Sequence, residues 1–182
     1  MGDAVTPQTV LAFWREAGPD KWFNRNEAFD SEIRSRFLAT YEAAAAGKLQ
    51  AWLKDAEGAL ALILVLDQFP RNMFRNDKRA YAADALARQV ADRAIESGYD
   101  VVFPTAERVF FYLPFEHSED HADQERCIAL VAALGDADLL KWAEVHADII
   151  RRFGRFPHRN VVLGRTTTAE EQSFLDDGGF SG

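Results

Sequence analysis

The chain of 182 residues has one cysteine, Cys127, so no internal disulfide can form. With no secretory leader at the N-terminus, the expected setting is a reducing cytoplasm. Long apolar runs are missing too. The longest, Ala59 to Leu66, covers eight residues and is closed by Asp67, well short of the roughly 20 that a membrane-spanning helix needs. No stretch alternates with period two, and Val101-Val102-Phe103 is too short to found a sheet. Phosphate loops, the Gly-x-Gly-x-x-Gly fingerprint and the Gly-x-Ser-x-Gly nucleophile elbow are all lacking, so no motif names a reaction. Positive charge is in deficit: 21 Lys and Arg against 29 Asp and Glu leave a net charge of −8. That balance argues against nucleic-acid or anionic-membrane binding, both of which need basic surface. No linker rich in Pro, Ser or Gly interrupts the chain, so residues 1–182 are expected to form a single domain with a frayed tail over about 176–182.

What is present is apolar, aromatic and helical in pattern. Apolar residues make up 48% of the chain and include 14 Phe, 4 Trp and 4 Tyr, so aromatic packing is expected to hold the fold together. Thr6-Pro7 predicts a capped helix through Val10, Leu11, Phe13 and Trp14 that stops at Gly18-Pro19, with Trp22 and Phe23 in a loop beyond it. Asp30 is expected to cap a helix striped by Ile33, Phe37 and Tyr41 and ended by Gly47. Leu49, Trp52 and Leu53 mark a short helix broken near Asp55 to Gly58. Gly58 to Phe69 is apolar on nearly every side, as in a helix surrounded by others, and is expected to end at Pro70. Asp84 is expected to cap the next helix. Thr105 begins another that Pro114 terminates, Ser118 or Asp120 starts one running to Gly135, and Asp136 caps one that reaches Gly154. Thr168-Ala169-Glu170-Glu171 forms a capping box for a last short helix. The pattern predicts an all-α array of about eight or nine antiparallel helices.

Three polar knots interrupt the apolar helices. The first holds Asp67, Gln68, Arg71, Asn72 and Arg75. The second runs from Glu116 through His117, Ser118, Glu119 and Asp120 to Gln124. The third joins His146 to a basic island, since Ile149 to Ala169 carries Arg151, Arg152, Arg155, Arg159 and Arg165 with no Asp or Glu. Phe69-Pro70-Arg71-Asn72 is echoed, with one insertion, by Phe156-Pro157-His158-Arg159-Asn160. His117 and His121 are four apart, so a helix covering both would give them one face, as in a metal pair. The general-base Glu of a zinc helix is missing between them, and the pair reads as a solvated helix start. No metal and no cofactor is called for. Cys127, among Ile128 and Leu130, reads as a small core residue.

The stretches Leu-Asp-Gln-Phe-Pro-Arg-Asn at 66–72, Phe-Tyr-Leu-Pro-Phe-Glu-His-Ser-Glu-Asp at 111–120, Arg-Phe-Gly-Arg-Phe-Pro-His-Arg-Asn at 152–160 and Leu-Gly-Arg at 163–165 resemble the bacterial family known as the domain of unknown function 924. The resemblance implies an all-helical fold similar to tetratricopeptide-repeat arrays and no established activity. Its pattern falls on Asp67, Gln68, Arg71, Asn72, Glu116, His117, Ser118, Glu119, Gln124, His146, Arg155, His158, Arg159 and Asn160, with no catalytic role attached; His121 departs from it.

Three functional expectations compete. In the first, the knots meet in one pocket where Arg71, Arg155 and Arg159 grip a small anion through guanidinium forks, with Asn72, His158 and Asn160 beside them, while Glu116 and His117 orient it or move a proton. Asp67, Glu119, Gln124 and His146 complete that ligand-binding set. The second is a peptide-binding groove of the tetratricopeptide kind. The third is structural: the knots only fasten helices, with the arginines neutralising carboxylates.

Overall fold

The computed structural model describes residues 5–180, and among them the chain is helical throughout with no strand. It gathers into two compact units: Met1–Arg75 with Arg79–Pro114, and Asn76–Lys78 with Phe115–Gly182. No helix among the described residues is long and apolar enough to cross a membrane.

In the first unit, α1 (Pro7–Ala17) starts on a Thr6 cap and stops at Gly18, as its sequence predicts. Trp22 and Phe23 are not in a loop. Pro19, at a first helical position, opens the five-residue α2 (Pro19–Phe23). The turn is held because the Trp22 indole stacks on Trp14, with centroids 5.8 Å apart, and its Nε1–H donates to the Trp14 carbonyl at 2.7 Å. α3 (Glu27–Ala45) is capped by Asn26, whose side chain accepts from the Phe29 N–H. Asp30 therefore lies inside the first turn, released from capping to bind elsewhere. Phe13 of α1 meets Phe29 and Phe37 of α3 and then Phe69, which builds an aromatic core.

A 3-10 turn at Gln50–Lys54 leads into α4 (Ala56–Ile63), capped by Asp55. Gly58 sits against this turn: a Cβ there would lie 1.9 Å from the Trp52 carbonyl oxygen. Gly58→Ala should therefore lower stability by about 2 kcal/mol by forcing backbone apart. A urea midpoint equal to the parent's would refute the close approach.

Leu60 to Leu66 are all but fully buried, and each Leu, Ile and Val among them contributes on the order of 1.5–3 kcal/mol of burial. The helix does not end at Pro70. It widens into a π turn at Leu64–Gln68 and resumes as α5 (Phe69–Met73). In an α-helix Pro70 would lose its hydrogen bond and press its ring on the Leu66 carbonyl. The π turn carries the Phe69 N–H back five residues, to the Leu64 carbonyl, and opens the helix where the ring needs room.

α6 (Asp84–Glu96) begins after Ala83, with Asp84 at its first helical position instead of the cap. α7 (Thr105–Arg108) runs into a 3-10 turn at Val109–Phe111, and Pro114 lies inside the following α8 (Leu113–Glu116). A proline in the first turn of a helix loses nothing, because its N–H would have had no intrahelical partner.

In the second unit, Asp120 caps α9 (His121–Ala132) and Asp136 caps α10 (Ala137–Phe153), and the two helices pack together across a short turn. Gly154 closes α10 in the left-handed conformation at φ 67°, which a side chain rarely adopts. A 3-10 turn at Pro157–Arg159 follows, and α11 (Ala169–Asp176) opens on the Thr168/Glu171 capping box. Of the tail expected to fray, residues 181 and 182 lie outside the described residues.

Candidate functional site

The first knot stands in the first unit and is a set of closed ion pairs. The π turn buries Asp67 completely. Its Oδ2 accepts from Gln68 Nε2 at 2.7 Å, and its carbonyl accepts from Arg71 at 2.8 Å. The Arg71 guanidinium then forks onto both oxygens of Asp84 at 3.0 Å each, with Asp67 Oδ1 3.3 Å away. Burial opposes the charge on Arg71, but the two carboxylates outweigh it and hold the guanidinium above its ordinary range. One turn on, Asn72 donates to Asp30 at 2.7 Å and Arg75 pairs with the same carboxylate. The fork expected to grip a ligand anion thus holds Asp84, and π turns, frequent at functional sites, serve here to bring Asp67 onto the same guanidinium.

The second and third knots both stand in the second unit. Glu116, at the end of α8, and His146, midway along α10, are each only 6% exposed. The His146 Nδ1 lies 2.8 Å from the Trp142 carbonyl and 3.3 Å from Glu116 Oε1. A carbonyl only accepts, so Nδ1 carries the proton in this bond. Cys127 places Sγ 3.9 Å from Glu116 Oε2. Burial, reinforced by that carboxylate, pushes its thiol up and favours the protonated form, as for a small core residue.

His117 follows α8, with its ring centroid 6.4 Å from that of His146. His121 is the first residue of α9 and exposed, so no helix gives His117 and His121 a common face. Gln124 positions the turn between them: its Nε2 donates to the Glu116 and Ser118 carbonyls at 2.7 Å each and to that of Phe115 at 3.4 Å. Phe156 is a fully buried neighbour of three basic groups, with His146 and His158 both 5.7 Å from its ring and the Arg159 guanidinium 4.4 Å above it.

Beside this centre, two carboxylates lock the basic island. Glu119 accepts from Arg165 at 2.7 and 3.0 Å and from the Phe156 N–H at 2.8 Å. Burial opposes its charge, yet these bonds win and hold its carboxyl below the usual range. Glu171 accepts from Arg155 at 2.6 and 2.8 Å, from the Thr168 N–H at 2.7 Å and from buried Asn160 at 3.2 Å. The Arg155 hydrogen bond is the main cause that brings Glu171 down to about 2. Arg151 and Arg152 pair on the surface with Glu125, Asp148 and Glu170.

The sequence-predicted residues therefore fall into three groups. Asp67, Arg71 and Asn72 belong to the first-unit lock. Glu119, Arg155 and Asn160 belong to the second-unit locks. Glu116, His117, His146, His158 and Arg159 are linked through Phe156 and His146. Sequence reasoning missed Asp30, Asp84, Arg165 and Glu171 as partners, although the capping box already put Glu171 at a helix start. A separate open groove of about 410 Å³ in the first unit, lined by Gln50, Leu53, Arg93, Glu96, Ser97 and Tyr99, includes none of the predicted residues. No group of three or more His, Cys, Asp or Glu among the described residues is arranged to hold a metal ion.

Helices broken by short turns, carboxylates locked on arginines and a buried His–Glu pair describe an all-helical protein with polar clusters at its helix ends. The chain belongs to the family of bacterial proteins of unknown function DUF924, whose model matches residues 10–179. A solved structure of a protein of unknown function from Agrobacterium tumefaciens is 50% identical, with a TM-score of 0.92 over 94% of this chain and 97% of that one. No curated protein matches the chain.

Proposed function

We propose that Glu116, His117, His146, His158 and Arg159 form a binding site for a small anionic ligand bearing phosphate or carboxylate. The observation that carries this reading is the gathering of three of the chain's four histidines and one arginine about the Phe156 and His146 rings, with the buried Glu116 carboxylate 3.3 Å from His146. Glu116 balances part of the positive charge and lies against His146 Nδ1. Arg159, backed by the Phe156 ring, supplies a permanent positive charge. Gln124 holds the backbone that carries Glu116 and His117.

Thermal melts against a panel of phosphorylated and carboxylated metabolites test the reading. A ligand at about 100 times its Kd should add roughly 2.7 kcal/mol and raise the melting temperature by several degrees. Arg159→Ala and His117→Ala should lose that rise. A broad panel with no shift in the parent protein would sink the site.

The ion pairs of Asp67–Arg71–Asp84, Glu119–Arg165 and Arg155–Glu171 support a structural role for the remaining polar residues. Substitution there should change stability first, and ligand binding only as a consequence.

A further inference from the structure

The segment after α11 places an aromatic ring on this centre. Gly178, at φ 79°, donates its N–H to the Leu175 carbonyl at 3.2 Å, and Gly179 donates to the Phe174 carbonyl at 2.9 Å. A Cβ on Gly179 would lie 2.5 Å from the Phe174 carbonyl oxygen and equally close to its ring. Glycine is thus required at both positions, once for backbone sign and once for space. The turn delivers Phe180, whose ring centroid is 4.5 Å from His146, 5.4 Å from His158 and 6.4 Å from Trp142. The same ring rests on the cluster of Ile149, Ile150 and Phe156.

An apolar side chain of any shape would cover Ile149 and Ile150. A flat ring standing edge to face with two imidazoles is a more particular choice. The ring is also only partly buried, on a short segment beyond the last helix, where opening costs least. We infer that Phe180 fills, from within the chain, a ring-sized subsite beside His146 and His158, and that the ligand of this centre carries an aromatic ring next to its anionic group. This rests on the anion site proposed above. A bound aryl anion would displace Phe180 and take up its contacts with both imidazoles, while the anionic group reaches Arg159. Phe180 then competes with the ligand's ring but not with its charge.

Calorimetric titration of inorganic phosphate and of phenyl phosphate into the parent, Phe180→Ala and Phe180→Leu separates the possibilities. Phe180→Ala is expected to tighten phenyl phosphate about tenfold and to leave inorganic phosphate within about twofold. Phe180→Leu keeps apolar cover on Ile150 and Phe156, so it should remain as stable as the parent and show a smaller gain. Trp142, half exposed beside Phe180, should change its fluorescence on phenyl phosphate binding, with the signal lost in Trp142→Phe. If both ligands bind and their affinity ratio is the same in all three proteins, the ring subsite is overturned while the anion site stands. Weaker phenyl phosphate binding in both variants overturns displacement as well, since Phe180 would then be a wall that the ligand needs. If neither ligand binds any of the three, the anion site falls and this inference with it.

Discussion

Arg71→Ala should destabilise the first unit by about 3–5 kcal/mol, the cost of leaving buried carboxylates without their counter-charge. Asp67 is fully buried and Asp84 nearly so, and one guanidinium serves both. Removing it leaves two acceptors facing each other in the interior, a penalty beyond that of a lost surface pair. Urea unfolding followed by tryptophan fluorescence in a Trp142→Phe background would isolate this unit, because Trp14, Trp22 and Trp52 all belong to it. A loss below about 1 kcal/mol would show that the triad is solvated and not a lock. A second comparison sharpens the test. Replacing all three members by apolar residues of similar size, Asp67→Leu, Arg71→Met and Asp84→Leu, should recover part of the loss, since an apolar core avoids the desolvation that the ions pay.

Glu171 should make the second unit acid-sensitive. Its carboxyl is held at about 2, against 4.5 for the unperturbed group, chiefly by Arg155. A depressed carboxylate pKa contributes stability that is fully present above the unfolded value and is lost as pH falls through 4.5 toward 2. Glu119, lowered by Arg165 and the Phe156 N–H, adds to the slope in the same direction. Glu171→Gln should cost on the order of 2 kcal/mol near neutral pH, a figure reduced for the partial exposure of Arg155. It should also flatten the decline in stability between about pH 5 and pH 2. Unfolding monitored through Trp142, the one tryptophan of this unit, is the measurement. Equal pH slopes for parent and variant would mean that the carboxylate titrates normally in the fold.

Much of the fold was legible because helix signals are local. Thr6, Asp120, Asp136 and Thr168 cap helices where the sequence puts them, and Gly154 ends α10. The errors share one origin. Pro70 and Pro114 were expected to stop helices, but each occupies an early position of a new helical segment, and only the three-dimensional path tells a stop from a start. Asp30 and Asp84 were expected to cap helices; both instead serve arginines, which lie 45 and 13 residues away in sequence. The three knots were visible as clusters of polar residue types. Their internal pairing was not, because Glu119 finds Arg165 across 46 residues and Arg155 finds Glu171 across 16. Phe180 had no signal at all, since one aromatic residue in a glycine-rich segment says nothing of what it will touch.

The π turn at Leu64–Gln68 also limits how this chain can vary in length. An α turn closes its hydrogen bond over four residues and the π turn over five, so a chain one residue shorter here would close into an ordinary helix with Arg71 still on the face that meets Asp84. The apolar residues before it would still be buried on every side, and hydrophobicity alone would not oppose the deletion. Opposition comes from Pro70, whose ring would then press on the carbonyl four residues back. The extra residue and the proline thus belong together, and related chains that keep the proline should keep the wider turn too.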